Sequence, residues 1–314
     1  MSIEILQGDC VELLNKIEDQ SINTCITSPP YWGLRDYGVD GQLGLEETAE
    51  EFIEGMVRVF SEVKRVLRDD GTLWLNMGDS YAMTSIRGKD SKFSGHLGSM
   101  KHWGKEGSIQ LGKRNLPFNL KPKNLIGMPW RLALALQADG WYLRQDIIWH
   151  KPNPMPESVR DRCTKSHEYI FLLSKKPKYY YDHEAIKENS VRAGSIPKGK
   201  KYSSELADNK IGGKHTRETL NEKPVAAKKN KRSVWKVSTK PFKGAHFATF
   251  PKDLIEPCVL AGCPERGTVL DPFGGSGTTG IVAAQHNRNA VLLELNQEYI
   301  DLAKERIKKE VDND

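Results

Sequence analysis

The chain has 314 residues, 38% hydrophobic and 28% charged, so it is long enough to bury a large core. No apolar run is long enough to span a bilayer, and the first residues do not form a signal peptide. Five scattered cysteines form no CxxC or Cys/His cluster: Cys10, Cys25, Cys163, Cys258 and Cys263. We therefore expect a cytoplasmic protein without disulfides or structural zinc.

The positive charge is concentrated in two segments. Residues 185–245 hold 16 lysines and arginines against 5 acidic residues, and residues 85–123 hold 9 against 2. Because the net charge of the whole chain is only +6, the remainder is acidic. Two basic segments on an acidic body are typical of a protein that binds a polyanion, although solvated loops give the same pattern.

Strands and helices alternate at the start of the chain. Apolar periodicity predicts strands over residues 3–6, 22–27 and 72–77, and helices over residues 11–17 and 49–67. This alternation predicts a parallel sheet covered by helices on both faces.

Residues 84–123 lack periodicity and are interpreted as a loop or insertion, and residues 183–245 are polar with little pattern. Between and after them, the sequence predicts a helix over 129–138, a hairpin-like pair of strands over 142–150 and 169–174, a helix over 251–261, a strand over 268–271, a helix over 278–286, a strand over 290–294 and a helix over 297–309.

A glycine-rich turn, DPFGGSGT, occupies residues 271–278 between a predicted strand and a predicted helix. Glycines allow the backbone to turn sharply and to approach a ligand, and the helix start adds free N–H groups. Glu294 ends the next strand, where an acidic side chain suits a pair of ribose hydroxyls. Dinucleotide enzymes use a similar turn, but the spacing here is not GxGxxG.

A second motif, TSPPYW, follows the predicted strand at residues 22–27. The two prolines fix the backbone and remove two N–H donors, so the carbonyls of Ser28 and Pro29 are directed at a ligand. These carbonyls and the Ser28 hydroxyl suit a flat exocyclic amine, and Tyr31 offers an aromatic face. The motif by itself is also compatible with an ordinary Pro-Pro turn.

The two motifs together, with the amine pocket first and the glycine turn last, resemble the β group of DNA amino-methyltransferases. The resemblance implies an α/β fold with a Rossmann-like, seven-stranded, mostly parallel sheet that contains one reversed strand. The order is circularly permuted, so the strand at 268–271 comes late but lies centrally. The implied cofactor is S-adenosyl-L-methionine, which is converted to S-adenosyl-L-homocysteine, with no metal.

The resemblance also assigns site residues. The implied catalytic residues are Ser28, Pro29, Pro30 and Tyr31. The implied cofactor-binding residues are Asp9, Phe250, Asp271, Phe273, Gly274, Gly275, Ser276, Gly277, Thr278 and Glu294. Asp9 would lie beside the adenine, but a helix cap explains it nearly as well. Asn76 or Asp79 is a further candidate for contact with the cofactor or with the pocket.

Residues 1–182 and 246–314 correspond to the catalytic domain, with 85–123 as a basic insertion, and 183–245 to a target-recognition region. The partner implied is double-stranded DNA with its target base flipped out of the helix. Phosphate contacts are assigned to Lys113, Arg114, Lys228, Lys229, Lys231 and Arg232. A cognate restriction endonuclease and a homodimer are compatible with the family, and no membrane is involved.

The serine before Pro-Pro favours cytosine N4 as the methylated atom, because adenine N6 enzymes more often carry Asp or Asn there. Adenine N6 remains the alternative, since Ser-Pro-Pro-Tyr also occurs among adenine enzymes. Two other classes remain open: an inactive nucleic-acid-binding protein with this fold, and an RNA or protein methyltransferase. Protein glutamine enzymes carry Asn-Pro-Pro-Tyr and usually place the glycine turn first.

Overall fold

The computed structural model describes residues 1–33, 38–39, 41–82, 120–191, 226–239 and 250–311. The strands in these ranges are β1 (Ile3–Gln7), β2 (Ile22–Thr27), β3 (Leu67–Met77), β4 (Tyr142–His150), β5 (His167–Ser174), β6 (Glu188–Asn189), β7 (Lys228–Lys229), β8 (Val234–Lys236), β9 (Thr268–Asp271) and β10 (Asn289–Glu294). The helices are α1 (Cys10–Leu14), α2 (Ala49–Val66), α3 (Met128–Ala138), α4 (Lys252–Gly262), α5 (Thr278–Gln285) and α6 (Gln297–Glu310). No helix in these ranges is both long and apolar enough to cross a membrane.

The chain divides into two compact units, and the larger comprises Met1–Asp182 and Ser233–Asp314. Its sheet has eight strands in the order β1-β10-β9-β2-β3-β5-β4-β8. The reversed strand is β5, which pairs antiparallel with both β3 and β4. The late strand β9 lies inside the sheet, between β10 and β2. The predicted Rossmann-like, circularly permuted fold is confirmed.

The sheet has one strand more than the sequence predicted. This strand, β8, pairs in parallel with the end of β4, from Ile148↔Val234 to His150↔Lys236. Three residues are too few to show a strand periodicity, so no sequence pattern indicated it. Ser233 and β8 belong to the larger unit, so the smaller unit ends at Arg232. The assignment of residues 183–245 to target recognition stays a prediction.

The long helix α2 shows why the sequence pattern succeeded. Thr48 caps it by accepting a hydrogen bond from the Glu51 amide, and the Glu51 carboxylate accepts one from the Thr48 amide. This reciprocal capping box marks the start of the helix. One face is fully buried, as predicted, with Phe52, Met56, Val59, Phe60 and Val63 in the main core. β3 follows directly and begins at Leu67, five residues before the predicted start.

The smaller unit is His183–Arg232. Its described strands, β6 and β7, form an antiparallel pair with Glu188 opposite Lys229 and Asn189 opposite Lys228.

Candidate active site

The carboxyl ends of four adjacent parallel strands meet at one edge of the larger sheet. The strands are β1, β10, β9 and β2, and their ends line one cavity of about 160 Å³. Such a crevice is where open α/β sheets bind ligands. The predicted cofactor-binding residues that line it are Asp9, Phe250, Asp271, Phe273, Gly274, Gly275, Ser276, Thr278 and Glu294. Ser28 and Pro30 line the same cavity.

The glycine turn connects β9 to α5 with two residues of positive φ. Gly275 has φ 48° and Gly277 has φ 78°, conformations that a side chain would strain. A Cβ at Gly277 would lie 3.0 Å from the Cβ of Ala303, so this residue packs against α6 rather than lining the cavity. The turn is closed by a hydrogen bond from the Gly277 amide to the Gly274 carbonyl, 2.9 Å.

Asp271 is buried behind this turn and organises it. Its carboxylate accepts hydrogen bonds from the hydroxyls of Thr27 (2.7 Å) and Thr279 (2.6 Å) and from the Phe273 amide (3.1 Å). Burial raises the pKa of Asp271 to about 6, and the three hydrogen bonds oppose that rise. With three donors around it, the carboxylate fixes the turn in one conformation.

Glu294 ends β10 and faces the turn from the neighbouring strand. Its carboxylate accepts hydrogen bonds from the Gly275 amide and the Asn296 amide, each 2.8 Å. Burial raises the pKa of Glu294, while these amides act to lower it. Two acidic oxygens at the edge of a cavity are acceptors for a pair of ribose hydroxyls, and Phe250 and Tyr299 add apolar lining. These residues fit an adenosine-bearing cofactor.

Two aspartates act as helix caps. Asp9 accepts hydrogen bonds from the amides of Val11 and Glu12, 2.9 and 3.0 Å, and it also lines the cavity. The position of Asp9 therefore agrees with a helix cap and also with a contact to the adenine of the cofactor. Asp79 caps α3 through the amides of Gly127 and Met128 and does not line the cavity. Asn76, the other candidate, donates to the carbonyl of Tyr169 and is likewise not in the lining.

The TSPPYW motif, called the proline motif below, continues from the end of β2. Ser28 and Pro30 line the cavity, and Tyr31 does not. Pro29 is buried behind the cavity lining, between Ser28 and Pro30. Tyr31 borders a second, smaller cavity together with Trp32, Met77, Gly78, Ser80 and Met128. The Tyr31 hydroxyl donates a hydrogen bond to Glu168, 3.1 Å. The segment Ser28–Tyr31 therefore connects the larger cavity with the smaller one, which is bordered by the side chains of Tyr31 and Trp32.

Several lining residues were not predicted. Val39, Gly41, Gln42 and Leu43 reach the cavity from the segment after the proline motif, and Asn296 and Tyr299 reach it from the start of α6. Arg306, further along α6, donates to the Ser276 carbonyl (2.6 Å), the Ser276 hydroxyl (2.7 Å) and the Thr278 hydroxyl (3.1 Å). Asn296 had a sequence signal, since Asn is a preferred helix cap and its side chain accepts from the Glu298 amide.

The basic residues assigned to DNA lie partly outside the described ranges. Lys113 and Arg114 are among the residues not described. In the smaller unit, Lys229 and Arg232 both pair with Glu188, at 3.2 and 2.6 Å. Lys228 is exposed on β7, and Lys231 is half-buried.

Metal ligands are not grouped in the part of the chain that the structure describes. No cluster of three or more histidine, cysteine, aspartate or glutamate side chains is placed there to hold a metal ion.

A family model described as DNA methylase matches residues 22–305. Among curated relatives, the type II methyltransferase M.SmaI of Serratia marcescens is 48% identical over 308 residues, which cover 98% of this chain and 91% of the relative. The type II methyltransferase M.Cfr9I of Citrobacter freundii is 46% identical over 310 residues, covering 98% and 89%.

Two solved structures share the fold. One is the PvuII DNA methyltransferase, described as cytosine-N4-specific, with a TM-score of 0.63, 18% identity and coverage of 98% of this chain and 86% of that one. The other is a DNA modification methylase, described as putative, from Thermus thermophilus in complex with S-adenosyl-L-methionine, with a TM-score of 0.58, 23% identity and coverage of 98% and 94%.

A fold with these strand ends and this cavity defines a Rossmann-like methyltransferase. The chain belongs to the family of S-adenosylmethionine-dependent DNA methylases, and the resemblance inferred from its two motifs is confirmed.

Proposed function

We propose that the protein transfers a methyl group from S-adenosyl-L-methionine to an exocyclic amine in double-stranded DNA, with cytosine N4 as the target. The observation that carries this proposal is that Ser28 and Pro30 line the same cavity as the glycine turn and Glu294. The amine pocket and the cofactor site therefore share one space, as direct methyl transfer requires.

The proposed chemistry depends on positioning. When bound, S-adenosylmethionine supplies an electrophilic methyl group on a sulfonium. The carbonyls of Ser28 and Pro29 accept the N–H groups of the amine, which directs its nitrogen lone pair toward that methyl. The prolines contribute no competing N–H donor, and their fixed φ keeps the carbonyls in place. The amine is itself the nucleophile, so no cysteine takes part: its nitrogen would gain the methyl as the sulfur–methyl bond breaks, and one amine proton would then be released to solvent.

The target base must leave the duplex to enter such a pocket. Stacking on an aromatic ring offsets part of the unstacking cost, and Tyr31 is the aromatic side chain that directly follows the two prolines. Phosphate contacts are assigned to the basic residues of segments 85–123 and 183–245, the latter as the target-recognition region.

The choice of cytosine rests on Ser28, where adenine enzymes of the family more often carry an acidic or amide side chain. The similarity to type II methyltransferases supports a role in restriction–modification, with a cognate endonuclease that cuts the same unmethylated site and a cytoplasmic location.

The test is incubation of unmethylated genomic DNA with isotope-labelled S-adenosylmethionine, followed by mass spectrometry of the nucleosides. We expect N4-methylcytosine. N6-methyladenine would support DNA methylation but would make adenine, not cytosine, the target base. RNA and protein substrates run in parallel, and Ser28→Ala serves as the low-activity control. Measurable cofactor binding without any methylated deoxynucleoside would overturn the proposal.

A further inference from the structure

Glu168 lies on β5, the reversed strand, and has no role in the function proposed above. Its Oε2 accepts the hydrogen bond from the Tyr31 hydroxyl, 3.1 Å, and its Oε1 forms an ion pair with Lys151 just after the end of β4. The side chains of Lys151 and Glu168 are only 19% and 18% exposed. The Lys151–Glu168 ion pair is therefore largely buried next to the proline motif. Removing two charges from water costs free energy, so an ion pair without a role would be unfavourable at this position.

The arrangement leaves little freedom to the Tyr31 ring. A Cβ at Gly78 would lie 2.9 Å from Cε2 of Tyr31 and 3.2 Å from the carboxyl carbon of Glu168, so glycine permits this close approach. Lys151 is held in turn, with its ammonium 4.1 Å from the centre of the Trp149 ring. Trp149 therefore restricts Lys151, which restricts Glu168. Glu168 in turn restricts the Tyr31 ring.

The charge of Glu168 also acts on the phenol. Burial raises the pKa of Tyr31 well above 10, and the Glu168 carboxylate raises it further, while hydrogen bonds involving Ser28 and Gly78 act in the opposite direction. At neutral pH the phenol is protonated and donates to a charged acceptor, which is a stronger hydrogen bond than one between neutral groups.

We propose that Glu168, held by Lys151, is a positioning residue that fixes the Tyr31 ring before the target base arrives. This inference rests on the proposed function, in which Tyr31 stacks on the flipped base. A ring that is already oriented loses less conformational entropy when the base stacks on it, and the target amine is then presented in one orientation.

The test compares Glu168→Ala, Glu168→Gln, Tyr31→Phe and the double variant Tyr31→Phe/Glu168→Ala. We expect Glu168→Ala and Tyr31→Phe each to lower kcat about tenfold, and the double variant to be no worse than Tyr31→Phe alone, because Tyr31→Phe already removes the bond to Glu168 together with the hydrogen bonds involving Ser28 and Gly78. Glu168→Gln keeps one acceptor oxygen where the carboxylate has two, so either the phenol or Lys151 loses its acceptor, and kcat should lie between the values of wild type and Glu168→Ala. Cofactor affinity should not change. The matched control is Glu62→Ala, which breaks a half-buried ion pair with Arg65 on α2.

A second measurement does not need activity. Ultraviolet titration of the tyrosines, with Tyr31→Phe to identify the signal, should show the Tyr31 pKa shifted downward in Glu168→Gln, since the negative charge is lost. Losses of kcat that multiply in the double variant, or a Tyr31 titration unchanged in Glu168→Gln, would overturn the inference. Absence of DNA methylation by the wild type would instead contradict the proposed function, while the titration would still show whether Glu168 acts on the Tyr31 phenol.

Discussion

The hydroxyl of Thr27 donates a 2.7 Å hydrogen bond to the carboxylate of Asp271, although 244 positions separate them in the chain. Thr27 is the last residue of β2 and the first of the TSPPYW motif, while Asp271 is the last residue of β9 and the first of the DPFGGSGT turn. Both side chains are buried. One buried hydrogen bond therefore joins the ends of two paired strands, at the points where the two motifs begin.

Asp271→Asn should remove a pH dependence of stability. Burial raises the pKa of Asp271 to about 6 in the folded protein, above its value in an unfolded chain. The folded state therefore binds more protons than the unfolded state between about pH 4 and pH 6, so this group makes stability fall as the pH rises through that window. Urea unfolding of wild type and Asp271→Asn from pH 4 to pH 7 should diverge by up to roughly 3 kcal/mol.

Thr27→Val is the control for the Asp271 titration. It removes one hydrogen bond that lowers the pKa of Asp271, so its stability should continue to fall to a higher pH than that of wild type. Stability profiles of wild type and Asp271→Asn that run parallel over the whole range would show that Asp271 does not titrate in this window.

Arg306→Ala should weaken cofactor binding. The guanidinium makes three hydrogen bonds to Ser276 and Thr278, so its loss leaves the glycine turn less ordered. We expect the dissociation constant for S-adenosylmethionine to rise about tenfold, the effect of losing a charged hydrogen bond or two. Calorimetric titration measures it, with Lys304→Ala on the exposed face of α6 as the matched control. Equal affinities in these two variants would exclude a role for Arg306 in ordering the turn.

The strands that build the site could be predicted because each carries its own signal. β2, β9 and β10 are apolar runs that end in polar residues, and parallel strands bring such ends to one edge of a sheet. The positions of Ser28, Asp271 and Glu294 at one cavity follow from that rule. The alternation of strands and helices predicted a parallel sheet with helices on both faces, whereas the permuted strand order and the reversed strand were implied by the resemblance of the two motifs to the family.

Contacts that depend on packing could not be predicted. Arg306 reaches Ser276 across 30 positions, and Tyr31 reaches Glu168 across 137. The first depends on how α6 packs near α5, and the second on the register of the reversed strand β5. Periodicity identifies the face of an element that is buried, but not the partner that this face meets.

Ser28→Ala should separate turnover from cofactor binding. The substitution removes a hydroxyl acceptor from the amine pocket but leaves the backbone carbonyls, so we expect kcat to fall roughly tenfold to a hundredfold. The glycine turn is untouched, and cofactor affinity should remain within about twofold of wild type. Single-turnover methylation and calorimetry measure the two quantities, with Ser21→Ala before β2 as the control. A loss of affinity as large as the loss of kcat would place Ser28 in the cofactor site instead.

Replacing Lys228, Lys229, Lys231 and Arg232 with alanine should weaken DNA binding and reduce its salt dependence. Each lost phosphate contact lowers the slope of log K against log salt by about 0.9. Glu188 already pairs with Lys229 and Arg232, and their hydrogen bonds lower its pKa against the opposing effect of burial. We therefore expect a reduction of about 2 rather than the full value for four contacts. Fluorescence anisotropy between low and moderate salt measures it.

Glu188→Gln is the matched control for this cluster, because it removes the competing carboxylate and keeps the cations. If Lys229 and Arg232 contact phosphates, they must leave Glu188 to do so, and the carboxylate then repels the DNA. Glu188→Gln should accordingly bind DNA more tightly and with a steeper salt slope than wild type. A slope that neither the alanine variant nor Glu188→Gln changes would remove the smaller unit from the DNA interface and leave the phosphate contacts to other basic residues.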